Sequence, residues 1–334
     1  MVSTMWKLDK PDGSIKKEYV AKLLPGLAER IAHGVGSIPN HFELSDAAKD
    51  VLLPNWSNTD SKLWDTERLK RLLIDEPASL VSLEKEILVE FGRITNAAEK
   101  PDNNTLKHVF NYDGVFNDST KEKAYWLAKK VGRNTCVYCN RQYVFTVEKG
   151  DGLKKNERIT RPVFDHWFAK SEHPLLSLSL FNLIPSCTIC NSSVKGQTSY
   201  SLETHIHPYV HRQGRPDMTF KVSAAATPKL KWEVKLDSNK KKEQKTKNDL
   251  ALDEIYTMHG ALEVNDLMEF KQKYPDGYLN QLVNDVLKDV MPGQHLTKGD
   301  VYRMLFGVEA TEDKFLDRPL SKLKYDILHD MGAI

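Results

Sequence analysis

The chain has 334 residues, 40% hydrophobic and 28% charged, with a formal net charge of +2 and a mean hydropathy of -0.50. That balance reads as a soluble globular protein, one elaborated domain or two by the soft rule of ~150 residues each, and excludes a disordered chain. No apolar stretch approaches the ~18–20 residues of a membrane span, and the first residues, MVSTMWKLDKPDGS, lack the basic-then-apolar layout of a signal peptide, so the expectation is a cytoplasmic protein with no membrane partner.

Taken in chain order, residues 1–130 read as a helical N-terminal region. Apolar spacing near 3.6 predicts helices over 15–24, stopped by Pro25-Gly26, over 64–73 and over 82–91. A further helix over 121–131 leads straight into the first cysteines, with Gly132 placed to end it. The region holds no phosphate loop, repeat or catalytic constellation. Charge is uneven along the chain: residues 131–250 carry 20 basic and 11 acidic residues, a net of +9, against -7 for the remainder. A basic middle between acidic flanks suits a polyanion, or else a solvated lysine-rich loop.

The only cysteines are Cys136, Cys139, Cys187 and Cys190, two CxxC pairs with none left over. In a reducing compartment this pattern points to a tetrahedral four-thiolate Zn²⁺ site, ahead of a redox pair or coincidentally buried thiols. A two-residue spacer in a tight turn aims both sulfurs at one ion, and two such turns complete the tetrahedron. Four thiolates leave no open position, so the zinc is expected to be structural. The 47 residues between Cys139 and Cys187 must then form an insert that leaves the two knuckles together.

From Arg161 the sequence runs RPVFDHWFAKSEHPLLSLSLFNLIPSCTICNSSVKG. Asp165-His166 ends a short apolar run that reads as a strand; Asn182-Leu183, Cys187-Thr188-Ile189-Cys190-Asn191 and Lys195 follow. In order and spacing these residues resemble the HNH (ββα-metal) endonuclease family in its His-Asn-Asn form. The fuller wording, TCVYCNRQY and then DHWFAKSEHPLLSLSLFNLIPSC, is similar to a bacterial branch of that family associated with phage defence. The HNH resemblance covers residues 131–210, and RPLSKLKYDIL near the C-terminus also looks like that branch, less specifically. It implies a metal-dependent DNA endonuclease, with an ATPase or another sensor of a defence system as partner.

Phosphodiester hydrolysis needs an activated water, neutralisation of transition-state charge and help for the leaving oxygen. His166 is the candidate general base, since an imidazole with a pKa near ~6.5 is partly neutral at physiological pH. Asp165 and Asn191 offer hard oxygen ligands suited to a catalytic Mg²⁺ or Mn²⁺. For consecutive Asp and His to serve one site, a local turn must redirect their side chains, because a regular strand would separate them. Asn182 is expected to tie its loop back to the strand carrying His166. Lys195, about one helical turn past Asn191, is a candidate phosphate contact or a solvated lysine.

The segment SLETHIHPYVH adds His205 and His207, with Glu203 and His211, as candidate extra ligands or phosphate contacts, or as histidines satisfied by local hydrogen bonds. His173 is assigned to the surface. Beyond it, 216–247 alternates as a lysine-faced β-hairpin, 238–248 reads as a polar loop, and 249–287 reads as a long helix broken at Pro275-Asp276-Gly277. A second helical stretch spans 278–290. In the tail, Leu320, Leu323, Ile327 and Leu328 form either core or a docking face. The expected architecture is α+β: a small zinc-stabilised ββα-metal nuclease core at 131–215 between a helical region at 1–130 and a β-hairpin plus helical region at 216–334. Two rivals accompany the DNA endonuclease reading: a zinc-stabilised nucleic-acid-binding module without catalysis, and an RNase on the same scaffold.

Overall fold

The computed structural model describes residues 6–37, 40–118, 120–150, 157–210, 218–226, 231–274, 277–282, 285, 298–309 and 311–332. It is an α+β protein in which helices predominate and, among the described residues, every sheet is a small antiparallel pair. Among the described residues seven α-helices precede the first cysteine: α1 Gly13–His33, α2 Asp46–Leu52, α3 Glu67–Ile74, α4 Pro77–Arg93, α5 Asn103–Val109, α6 Tyr112–Phe116 and α7 Glu122–Val131. Helix α1 starts on Asp12, whose carboxylate accepts the Ile15 N–H at 2.9 Å, as an N-cap should. It does not stop at Pro25 as the sequence suggests. Proline removes one backbone hydrogen bond, but the helix beyond it buries Leu27, Ala28 and Ile31, and that burial outweighs the lost bond. Helix α7 does end on Gly132, which is left-handed at φ 59° and donates its N–H to Ala128 O.

Three two-stranded sheets follow among the described residues: β1 Val147–Glu148 with β2 Arg158–Thr160, β3 Val163–His166 with β4 Leu183–Ser186, and β5 Thr219–Ala224 with β6 Trp232–Asp237. Strand β4 runs into a short π-type helix, Ile189–Lys195, which packs back on β3. In the last sheet Lys221 pairs with Lys235 on the exposed face and Phe220 with Leu236 on the buried one, the alternation expected of this hairpin.

Two C-terminal expectations change. Residues 238–248 contribute a helix, Lys241–Asp249, instead of a polar loop. Its Glu243 carboxylate takes the Ser238 hydroxyl just before the helix, and its Thr246 hydroxyl accepts the Ile206 N–H at 3.0 Å, the latter a tertiary bond that a hydrophilic composition does not announce. The long helix after it is divided into Leu252–Thr257, a 3₁₀ turn Met258–Ala261, and Glu263–Lys273. Gly260 causes no left-handed turn; a Cβ there would lie 2.3 Å from Trp232 O, so glycine permits the close approach to β6. Of the 278–290 stretch, Tyr278–Gln281 is helical; residues 283–284 and 286–290, and Pro275 and Asp276 of the expected break, lie outside the described residues. The tail helix Ser321–Asp330 buries Leu323, Ile327 and Leu328, with Leu320 at its N-cap; these four are core. Buried apolar side chains from Trp6 to Leu328 join one cluster. Among the described residues no helix is long and apolar enough to cross a membrane.

Candidate metal centre and active site

The first knuckle, TCVYCN, is a tight turn closed by Asn140 N–H to Cys136 O at 2.8 Å, with Asn140 left-handed at φ 46°. Asn140 then donates its amide to Thr135 Oγ1 and Phe315 O, so the knuckle is fastened to the chain near the C-terminus. It also docks on β4, through Val137 N–H to Pro185 O at 3.3 Å. The second knuckle begins directly after β4, and this shared strand brings the two pairs together across the 47-residue insert. The four Sγ atoms are buried and lie within 4.8 Å of one another. Cys190 N–H points at Cys187 Sγ at 3.4 Å. Hydrogen bonds from Cys136, Cys139 and Cys190 pull the Cys187 thiol down, whereas burial pushes Cys136 up. Four converging sulfurs in a dry pocket fit a soft or borderline cation such as zinc.

Strand β3 is regular through His166, with Asp165 opposite Ile184 and His166 opposite Leu183. No turn redirects the pair, so the strand sends the two side chains to opposite faces. The Asp165 side chain is buried: Tyr138 Oη donates to Oδ2 at 2.5 Å, and Lys195 Nζ stands 3.2 Å from each carboxylate oxygen. Burial raises the Asp165 pKa, against the pull of Lys195 and Tyr138. Lys195 is itself buried, at 3% exposure, and its ammonium also donates to the His166 carbonyl at 2.8 Å. Lys195 is thus an internal counter-ion and not an exposed phosphate contact. It faces inward because the π-helix lies against β3, where Asp165 requires a cation. Tyr138, a spacer residue of the first CxxC, carries no motif signal, and its role emerges only in three dimensions.

Removing one partner of such a buried pair costs about 3–5 kcal/mol. Lys195→Met is expected to destabilise the protein by about that much in urea unfolding, more at pH 8 than at pH 5, since the stranded carboxyl escapes by binding a proton. An unchanged midpoint would show the pair to be energetically idle.

His166 occupies the other face. Its Nε2 lies 3.0 Å from Ser177 O; a carbonyl only accepts, so Nε2 carries the proton and Nδ1 keeps its lone pair. The ring meets Tyr112 edge-on at 4.5 Å. Burial lowers the His166 pKa to about 4, which keeps the imidazole neutral at pH 7. The Ser177 carbonyl is positioned by a loop tied to the N-terminal helices: Ser177 Oγ donates to Phe110 O at 2.8 Å and Tyr19 Oη to Leu178 O at 2.8 Å. Asn182 locks the same loop, accepting the Phe168 N–H at 2.7 Å while its amide donates to Phe168 O and Leu176 O. Asn191 is half-buried on the π-helix; its backbone N–H donates to Cys187 O at 3.0 Å and its side-chain amide meets Ser192 Oγ at 3.3 Å.

His205 and His207 are both buried. His205 stacks on Tyr200, with Nε2 2.8 Å from Asp249 and Nδ1 2.8 Å from Thr204 Oγ1. His207 accepts the Tyr209 N–H on Nδ1, its ring lies against Trp167, and its Nε2 has no partner among the described residues. Both rings are buried against aromatic neighbours and so are not exposed for contact with a polyanion. Glu203 is exposed, and His211 lies outside the described residues. His173, assigned to the surface from sequence, bonds the buried Glu84 at 2.6 Å and links the loop to α4.

Burial lowers the His207 pKa to about 3. Because the unfolded ring binds a proton that the folded one refuses, stability is expected to fall as pH drops below ~6.5. The slope is at most ~1.4 kcal/mol per pH unit for this group. His166 acts in the same direction, and His173, raised by its hydrogen bond to Glu84, in the opposite one. Urea midpoints from pH 7 to pH 4 for the wild type and His207→Phe isolate the effect; equal slopes would refute it.

The fold is therefore α+β with a buried four-cysteine cluster able to hold a metal such as zinc, beside a hairpin that carries a neutral histidine. Compared with family models, curated proteins and solved structures, the chain matches none.

Proposed function

We propose that the chain is an HNH-type endonuclease that hydrolyses DNA phosphodiester bonds in a metal-dependent reaction, with His166 as general base. The observation that carries this reading is the state of His166: neutral, with Nε2–H held by Ser177 O and Nδ1 free to accept a proton. A β-hairpin followed by a helix, next to a four-cysteine cluster, supports it as the arrangement that the His-Asn-Asn motif calls for. In the reaction Nδ1 takes a proton from the attacking water, and the imidazolium that results is stabilised by the carbonyl already bonded to Nε2. Asn182 and the Ser177 loop keep the ring in that orientation.

The Mg²⁺ or Mn²⁺ expected from sequence fits less well. Asn191 remains a candidate oxygen donor, but both Asp165 oxygens face the Lys195 ammonium, and a divalent cation there would stand beside a like charge. The Asp165–Lys195 pair also favours a second reading, a zinc-stabilised nucleic-acid-binding module without catalysis. Nicking of supercoiled plasmid, with Mg²⁺ and with chelator, by wild type, His166→Ala and Asn191→Ala separates the two, and an RNA strand in the same assay tests the RNase alternative. Binding without metal-dependent cutting would favour the module. The role of effector in a bacterial anti-phage system, with an ATPase or sensor as partner, extends the proposal on the motif resemblance alone.

A further inference from the structure

The chain leaving the first knuckle presents an unusual surface. Residues 143–147 are extended, with Val144 buried and Tyr143, Phe145 and Val147 exposed on alternate positions. Tyr143 is 50% and Phe145 43% exposed, and the two rings stack on each other at 4.4 Å with 19° between planes. The stack is mounted rigidly. Tyr143 bridges Thr135, Val144 N–H donates to Asn134 O at 2.7 Å, and Cys136 N–H donates to Gln142 O at 3.0 Å, so the segment is bonded to the knuckle on both sides of Thr135. Among the described residues, about half of each ring is left uncovered.

Charge decides what such a stack suits. Over the described residues 141–150 and 157–161 four basic side chains, Arg141, Lys149, Arg158 and Arg161, stand against Glu148 and Glu157. Glu148 is shared by Lys129 at 2.7 Å and Arg158 at 3.8 Å, and the Arg158 side chain is buried and donates to Thr120 O, so Arg141, Lys149 and Arg161 are the cations left for a ligand. The surrounding region 131–250 carries +9. Aromatic faces on a cationic strand match the bases and phosphates of an unpaired nucleic-acid strand; an apolar protein partner would leave these cations uncompensated. Because the backbone beneath the rings is already bonded to the knuckle, little backbone entropy is lost on binding.

We propose that Tyr143 and Phe145 form a stacking platform for the bases of single-stranded DNA, carried on the first cysteine knuckle. The proposal rests on the nuclease reading only for the choice of DNA as the nucleic acid. Its test therefore measures binding in a His166→Ala background, where no strand is cut and loss of cleavage cannot mimic loss of binding. The probe is fluorescently labelled oligo(dT), about twenty nucleotides long, followed by anisotropy on the full zinc-loaded chain, with a duplex of equal length alongside.

Tyr143→Ala and Phe145→Ala are each expected to weaken oligo(dT) binding about tenfold, the effect of one lost base stack, and to change duplex binding less. Phe145→Lys adds a positive charge, so stacking predicts weaker binding and simple charge attraction predicts tighter binding. Tyr143→Phe is expected to bind like its parent. Zinc content and the unfolding midpoint of each variant verify that the knuckle is intact. Unchanged oligo(dT) affinity, equal losses on duplex, tighter binding by Phe145→Lys, or no binding by the parent would each overturn the proposal. So would a parent that is a dimer and becomes monomeric in Tyr143→Ala with its oligo(dT) affinity intact, since the stack would then be an interface between copies of the chain.

Discussion

Replacing His166 with alanine is expected to reduce plasmid nicking about 10²–10⁴-fold, the usual contribution of a positioned general base. The loss should fall on kcat, with DNA affinity little changed, because in the proposed mechanism the ring touches the attacking water and not the strand. The pH dependence is more specific. An ordinary histidine base would lose activity as pH falls through ~6.5, whereas His166 titrates at about 4. The acid limb of kcat/KM is therefore expected near pH 4, with activity flat from pH 6 to 8. His166→Gln keeps a polar side chain near Ser177 O but has no comparable basicity, and should be as inactive as the alanine variant. Undiminished cutting by His166→Ala would end the mechanism, and an acid limb at pH 6.5 would end the account of its environment.

The second large effect concerns the sulfur cluster. Structural zinc sites contribute apparent binding free energies of ~10–16 kcal/mol at pH 7, more than the whole stability of an ordinary domain. Four buried sulfurs within 4.8 Å of one another are expected to hold one Zn²⁺ per chain, and Cys187→Ser or strong chelation should remove it. The damage should not stay local. Trp6 Nε1 donates to Tyr138 O at 2.8 Å, the Tyr256 hydroxyl donates to Cys139 O, and Thr135 N–H donates to Leu316 O at 3.1 Å. Segments from both ends of the chain hang on the first knuckle, and Asp165 is bonded to its Tyr138. Loss of the ion is therefore expected to unfold the protein cooperatively, measured by metal content and circular dichroism, and to abolish nicking even with His166 intact. A chain that keeps its unfolding midpoint after zinc removal would show that the cysteines are merely buried thiols.

Much of this was legible in the chain itself. Two CxxC pairs with no cysteine left over specify a converging sulfur cluster, because ligand spacing is a local property of tight turns. The helix ending on Gly132, the lysine-faced hairpin and the apolar seam of the tail helix are likewise written in short-range periodicity and turn chemistry. What the amino-acid order did not disclose is which groups meet across long separations. Asp165 and His166 are neighbours in sequence, yet a regular strand assigns one to a buried ion pair with Lys195 and Tyr138 and the other to Ser177 O. Pro25 stays inside a helix because burial exceeds its local cost, and the lysine-rich segment 241–249 becomes one because its Lys, Glu and Gln tolerate a helix that tertiary contacts hold in place. Local spacing determined the pairing of the cysteines and many of the secondary elements, and the motif singled out the candidate base; only packing decided where helices run on past local signals and which way each side chain faces, since that depends on the partner a buried charge or imidazole must find.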